Sequence, residues 1–185
     1  MSVFYYIGVY LLGIIFAGAW LDKVKKQTAH MQQMNAYRLL PPSFTAPMFY
    51  LFLTAELVST VCLFVWHMTL VPAIGLTALL CIYTGAVTFN LLRGYRDISC
   101  GCGGLLDNER LHWGIVIRNV SMLALVIGLF YVHPYVETIP WQYNIICFLI
   151  AVAVSFMIAV GQEILMFKRK WINQFELLIE GDEVK

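Results

Sequence analysis

With 185 residues, 61% of them hydrophobic and only 12% charged, the chain lacks the polar surface that a water-soluble globule needs. The same figures exclude intrinsic disorder, which requires low hydrophobicity, and a net charge of +1 gives no electrostatic footprint for nucleic acid. What remains is a multi-spanning membrane protein with the lipid bilayer as its first partner, long enough for about five spans of roughly 20 residues and too short for a separate soluble domain as well.

The nearly uncharged runs set the expected spans at 3–21, 46–66, 70–92, 113–132 and 141–167, within a single membrane domain of 1–185. The first run carries no charge and closes on Asp22-Lys23-Val24-Lys25-Lys26. It lacks the basic leading region of a signal peptide and is expected to be retained. Val24 to Leu39 mixes Lys and Gln with Met31, Met34 and Tyr37. That pattern fits either an interfacial amphipathic helix or a solvated connector. Pro41-Pro42 and Pro47 precede the second span, whose only charge is Glu56. Pro72 opens the third span after a short link from His67 to Val71.

A loop of residues 93–112 then leads to the fourth span, where Arg118 is the only charge. Pro134 and Pro140 bracket the next loop, and the fifth span carries only Glu163, near its end. Beyond it, Trp171, Phe175, Leu178 and Ile179 recur at helical spacing, again fitting an interfacial helix or a plain tail. The spans lack the alternation of a lipid-facing barrel, and helices satisfy their own backbone hydrogen bonds in lipid. The expected fold is therefore an all-α membrane protein, a four-helix bundle plus a C-terminal fifth span. Tyr5, Tyr6, Trp20, Trp66, Trp113, Tyr131, Tyr135 and Trp141 stand near span ends, as an aromatic belt requires. There is no internal repeat and no low-complexity tract.

Orientation follows from the basic residues. Lys23, Lys25, Lys26 and Arg38 fall in the first loop, Arg93, Arg96 and Arg110 in the third, and Lys168, Arg169, Lys170 and Lys185 in the tail. Of the twelve Lys and Arg residues only Arg118 is not on that face. The positive-inside rule places that face in the cytoplasm and the N-terminus outside. For a bacterial inner membrane this means a periplasmic N-terminus, a cytoplasmic C-terminus and a cytoplasmic 93–112 loop.

That loop holds Asp97-Ile98-Ser99-Cys100-Gly101-Cys102-Gly103-Gly104. Glycines permit the tight turns that a Cys-x-Cys disulfide needs. Such a small ring is strained and readily reduced, which suits thiol–disulfide exchange better than a permanent staple. Arg93, Arg96, Arg110 and His112 favour the thiolate, while Asp97, Asp107 and Glu109 oppose it. Two other readings stand beside exchange. The cysteines are plain loop residues, or Cys100, Cys102 and His112 are three ligands of a metal site that lacks an evident fourth. Cys62, Cys81 and Cys147 lie inside spans and read as small packing residues.

Glu56 falls near mid-membrane, where a lone charge costs at least about 2.5 kcal/mol, so it needs a partner in the bundle interior. Arg118 is the expected one, since the two lie at depths of about 15 and 10 Å from the same face at 1.5 Å per residue. The pair serves either to fix helix register or to stabilise a thiolate in the loop nearby. Asn90 and Asn119 are expected to complete a polar network between the third and fourth spans. His67 and His133, on the opposite face, read as anchors of helix ends.

Ala36-Tyr37-Arg38-Leu39-Leu40-Pro41, Ala55-Glu56-Leu57, Arg93-Gly94, Cys100-Gly101-Cys102-Gly103-Gly104 and Arg118-Asn119 occur in this order. Together they resemble the methylamine utilisation protein MauE family, within the wider DoxX-like group of small membrane bundles. The resemblance covers roughly Val3 to Phe130. In one departure, relatives often carry an aromatic residue in a Cys-Gly-Cys-Phe-Gly stretch, where here Gly104 follows Gly103. The resemblance implies a role in maturing the disulfide-rich small subunit of periplasmic methylamine dehydrogenase, alongside a thioredoxin-like, MauD-type membrane protein. It makes Cys100 and Cys102 the redox pair, with Glu56, Arg118, Asn119, Arg93, Gly101 and Gly103 in support; no cofactor and no metal is expected.

The implied substrate is periplasmic, whereas the charge count puts the dithiol in the cytoplasm. Either electrons pass outward through the bundle from a cytoplasmic donor, or the charge rule fails here, or the bundle rearranges so that one site is reached from alternate sides; the orientation adopted is the one the charges give. Three further functions stay open beside exchange: a non-catalytic membrane chaperone or scaffold, a small-solute transporter lined by Glu56 and Arg118, and a metal-handling protein.

Overall fold

The computed structural model describes residues 2–39, 41–95 and 111–183, with residues 165, 166, 169, 170 and those beyond 171 as backbone. Among them there is no strand, and long helices dominate. We number them α1 (Ser2–Lys25), α2 (Gln27–Ala36), α3 (Pro42–Trp66), α4 (Leu70–Leu92), α5 (Trp113–Val132) and α6 (Trp141–Glu183). All but α2 are long and apolar enough to cross a membrane. The chain is a multi-pass membrane protein.

The helix limits follow local chemistry. α4 and α5 begin and end where the nearly uncharged runs do. α3 starts at Pro42, four residues ahead of the expected Ala46, because a proline in the first turn lacks only an N–H that would have no partner there. Pro47, expected before the span, is instead inside it. α6 runs 43 residues to Glu183, so the expected separate helix near Trp171 is a continuation of the fifth span. At 1.5 Å per residue this is roughly 65 Å, about twice the thickness of a bilayer's hydrocarbon core.

Packing follows from which stripe each helix buries. On α1 the buried side chains Tyr5, Val9, Leu12, Phe16, Ala19 and Lys23 recur at alternating steps of four and three, a single face of the helix. That face meets Leu63 of α3, Leu76 and Leu80 of α4, Val126 and Leu129 of α5 and Cys147 of α6 in one core. α1, α3, α4 and α5 form the four-helix bundle, and α6 packs along α1. A methyl group on Gly75 would strike Ser59, and one on Gly13 would strike the Phe64 ring, so α4 and α1 pack against these side chains of α3 only because glycine stands there. The outward faces are apolar: Phe4 is 82% exposed and Met157 74%. In water that would be a fault; in lipid it is the expected surface.

α2 is not an independent surface helix. It runs back along the first turns of α3, where Thr45 Oγ1 donates to Asn35 Oδ1 at 2.6 Å and Tyr50 Oη donates to Gln27 Oε1 at 3.4 Å. His30 is its one fully buried side chain. The connector thereby becomes a wall of the bundle.

The end that carries the N-terminus is tied by aromatic and histidine side chains. Tyr5 Oη lies 2.7 Å from His133 Nδ1 and accepts the Met68 backbone N–H at 3.1 Å. Tyr6 sets its ring at right angles to His67, centroids 5.3 Å apart. His67 and His133 thus anchor helix ends as expected, but Tyr5 and Tyr6 belong to the core and not to the aromatic belt. Trp66, Trp113, Tyr131, Tyr135 and Trp141 are exposed and fit the belt. Burial, with His133 nearby as the second cause, holds the His67 imidazole below the ordinary histidine range.

Candidate functional site

Glu56 is 1% exposed, and its partner is Lys23, not the expected Arg118. Lys23 Nζ donates to both carboxylate oxygens, at 2.8 Å to Oε1 and 2.7 Å to Oε2. It also reaches Tyr83 Oη at 3.4 Å and sits 4.8 Å from that ring's centroid. Lys23 was expected in the charged loop that closes the first span. The helix continues past it, and its register puts the ammonium on the buried stripe. Arg118 is half-buried on α5, and its guanidinium contacts the neighbouring Asn119 Oδ1 at 3.4 Å.

Each element supplies one part of this centre. α1 brings Lys23 near its last turn, α3 brings Glu56, and α4 brings Tyr83. Thr60 Oγ1 donates to the Glu56 backbone carbonyl at 2.7 Å, inside the helix. Phe52 meets the Tyr83 ring edge to face at 6.0 Å. A second charged group lies beside the first. His30 Nε2 is 3.2 Å from Asp22 Oδ2, and Lys26 Nζ is 2.9 Å from Asp22 Oδ1. An ammonium and a carboxylate buried together hold each other charged only through such close geometry.

A cavity of about 490 Å³ opens beside the pair. Lys23 and Tyr83 line it, and so do His30, Gln33 and Tyr37 from α2 and its C-terminal end. Phe49 and Phe52 are among the apolar lining residues from α3. Two polar atoms in this lining are buried with no hydrogen-bond partner: His30 Nδ1 and Gln33 Oε1. A close-packed interior keeps neither a void of this size nor unpaired polar atoms without cause.

The expected network of Asn90 and Asn119 does not form. Asn90 is fully buried, but its Nδ2 donates to the Ala86 carbonyl at 2.9 Å within its own helix, and its Oδ1 has no partner. Of the three span cysteines, Cys62 and Cys147 are packed inside as expected, whereas Cys81 points outward. Cys100, Gly101, Cys102 and Gly103 lie outside the described residues. The described ends of their loop are held together, because Leu91 at the end of α4 and Leu111 before α5 share one apolar cluster with Tyr37, Val87 and Ile115. Arg93, just past α4, lays its guanidinium over the Phe89 ring at 4.8 Å and the Tyr95 ring at 6.0 Å.

Lys23, Tyr83, His30 and Gln33 were not expected as site residues. For Lys23 the signal was its place in the four-three repeat of α1; for His30 and Gln33 it was their spacing of three, which puts them on one helix face.

Comparison with known proteins follows the same segment of the chain. The family model described as methylamine utilisation protein MauE matches residues 1–132. The chain is 28% identical over 118 residues to a methylamine utilization protein MauE of Paracoccus denitrificans, covering 64% of this chain and 63% of that protein. It is 29% identical over 117 residues to a methylamine utilization protein MauE of Paracoccus versutus, covering 63% of each. The matches thus span somewhat less than two thirds of those relatives. No solved structure matches.

Proposed function

The chain belongs to the MauE family, and we propose that it is a membrane component of a maturation system for the small subunit of periplasmic methylamine dehydrogenase. In this reading it works by thiol–disulfide exchange at Cys100 and Cys102 with a thioredoxin-like, MauD-type membrane protein. The observation that carries the reading is that the family match runs across the Cys-Gly-Cys segment as well as the membrane bundle. The tightly packed anchor of the loop's described ends supports it, since an exchange pair must be presented from a fixed base.

The exchange balances without a cofactor. A thiolate of the partner attacks one sulfur of the Cys100–Cys102 disulfide, a mixed disulfide forms, and the partner's second thiolate releases it. The partner leaves oxidised and the pair is left as two thiols; the reverse sequence oxidises the pair. Arg93 adds positive charge at the base of the loop, which favours thiolate over thiol. The Lys23–Glu56 pair lies toward the same end of the bundle, where it holds α1 and α3 in register.

The test is complementation of small-subunit maturation by Cys100→Ser and Cys102→Ser variants. Each is expected to abolish maturation while the protein still inserts at wild-type levels. Full maturation by the double serine variant would instead establish the non-catalytic scaffold reading. Orientation is tested separately by labelling Cys100 and Cys102 with a membrane-impermeant thiol reagent on intact cells. Labelling is expected only after permeabilisation; rapid labelling from outside reverses the assigned topology.

A further inference from the structure

The cavity beside Lys23 has the features of a ligand site and not of a packing fault. Its volume of about 490 Å³ lies within the usual range for small-molecule sites, roughly 300–1,000 Å³. Its lining reaches the lipid-facing surface: Leu51 and Ile82 line it, stand in the middle portions of their spans and are 56% and 47% exposed, with Leu39 42% exposed at the α2–α3 link. An occupant therefore enters from the hydrocarbon and is itself dissolved in the membrane.

The polar atoms define its head. His30 is 4% exposed, lines the cavity, and leaves Nδ1 without a partner while Nε2 is engaged by Asp22. Gln33, one turn on along α2, lines the same space and leaves Oε1 without a partner. The spacing of three puts both on one helix face. Gln33 Oε1 requires a donor. His30 Nδ1 takes a donor when the ring is uncharged and becomes a donor when it is protonated. A hydroxyl group satisfies every one of these cases.

The walls and charges narrow the choice. Phe49, Phe52 and Tyr83 offer aromatic faces and edges to a flat ring. An anionic phospholipid head finds Lys23 already bonded to both oxygens of Glu56. A bare acyl chain leaves the two polar atoms as unsatisfied as before. We infer that the cavity between α1, α2, α3 and α4 binds a membrane-dissolved hydroxylated aromatic ring with an apolar tail, an alkylated hydroquinone or phenol, through His30 and Gln33.

The probe is 2-decylhydroquinone, kept anaerobic and titrated calorimetrically into the full chain in phosphatidylcholine nanodiscs, with empty nanodiscs subtracted. Saturable binding at one site per chain is expected, and decylbenzene, which lacks the hydroxyls, is expected to bind at least about tenfold more weakly. Ala86→Phe fills the cavity from α4 and is expected to abolish binding. Gln33→Leu removes an acceptor that nothing in the free protein uses, so it leaves the thermal midpoint unchanged or raised and weakens binding about three- to tenfold. It keeps the test decisive if Ala86→Phe fails to fold. The inference is overturned by no saturable binding above empty nanodiscs, by equal affinity for decylbenzene, or by undiminished affinity in Gln33→Leu.

Discussion

The two ends of the bundle solve the same problem by different means. At the N-terminal end, helices are joined by a tyrosine hydroxyl, a backbone N–H and two imidazoles, with no acid–base pair among the described residues. At the other end, an ammonium and a carboxylate are both buried, next to an open cavity. The first arrangement closes helix ends with groups that cost little to desolvate. The second is expensive to desolvate, and apolar residues of similar volume often match or exceed the stability of such a pair. A cavity beside it adds a further cost in lost contacts. Stability alone explains the first end; the second retains costs that point to ligand binding or chemistry.

The largest expected effect breaks the charged end directly. Glu56→Leu strands the Lys23 ammonium in the interior, and Lys23→Met strands the carboxylate. Each is expected to destabilise the protein by about 3–5 kcal/mol, the usual cost of removing one member of a buried pair. The double variant is expected to regain most of that loss, because no uncompensated charge remains. Unfolding of all four proteins in mixed micelles measures this cycle. A double variant as unstable as the sum of the singles would show that the two residues act apart, against the geometry of two contacts under 3 Å. If the restored double variant still fails in maturation, the pair has a role beyond holding helices.

How much of this could be read from the sequence differs between the same two regions. The spans were legible because hydropathy and length report directly on transfer into lipid. α4 and α5 were placed to the residue. Glu56 was legible as a buried charge for the same reason. Its partner was not, because Lys23 stands in a run of charges that reads as a loop, and only the stripe from Tyr5 through Ala19 carries it inward. Arg118 was a reasonable expectation on depth, but depth says nothing about which faces meet. α2 was ambiguous between a connector and a surface helix because its mixed polar pattern has no clear apolar face; packing against α3 decides its place. The cavity arises between four helices and has no signature in any one of them.

A middle-sized effect probes the N-terminal end. Tyr5→Phe deletes one oxygen that serves both the Met68 N–H and His133. Both partners are then left to find other contacts in a buried setting, and a loss of about 1–3 kcal/mol is expected. The readout is the same unfolding assay, with hydrogen exchange at Met68 as a local probe. Maturation by the folded variant is expected to be unchanged. A maturation defect in a stably folded Tyr5→Phe protein would end the division between a structural end and a functional one.

The smallest expected effect is a pH dependence confined to the structural end. His67 lies just outside α3, and its imidazole is pushed below the ordinary value of 6.5, first by burial and then by His133. A histidine depressed in the folded state takes up protons more readily when unfolded. Between the folded value and 6.5 the unfolded chain therefore binds more protons, and stability rises with pH across that window. The stabilisation is complete above 6.5 and is lost as the pH falls toward the folded value. Tyr5, Tyr6 and His133 surround this end, and His133 adds to the effect of burial on His67. Unfolding midpoints measured from pH 5 to pH 8 are expected to fall on acidification in the wild type, less steeply in His133→Asn, and least in His67→Gln. An undiminished slope in His67→Gln would show that the acid sensitivity does not arise from His67.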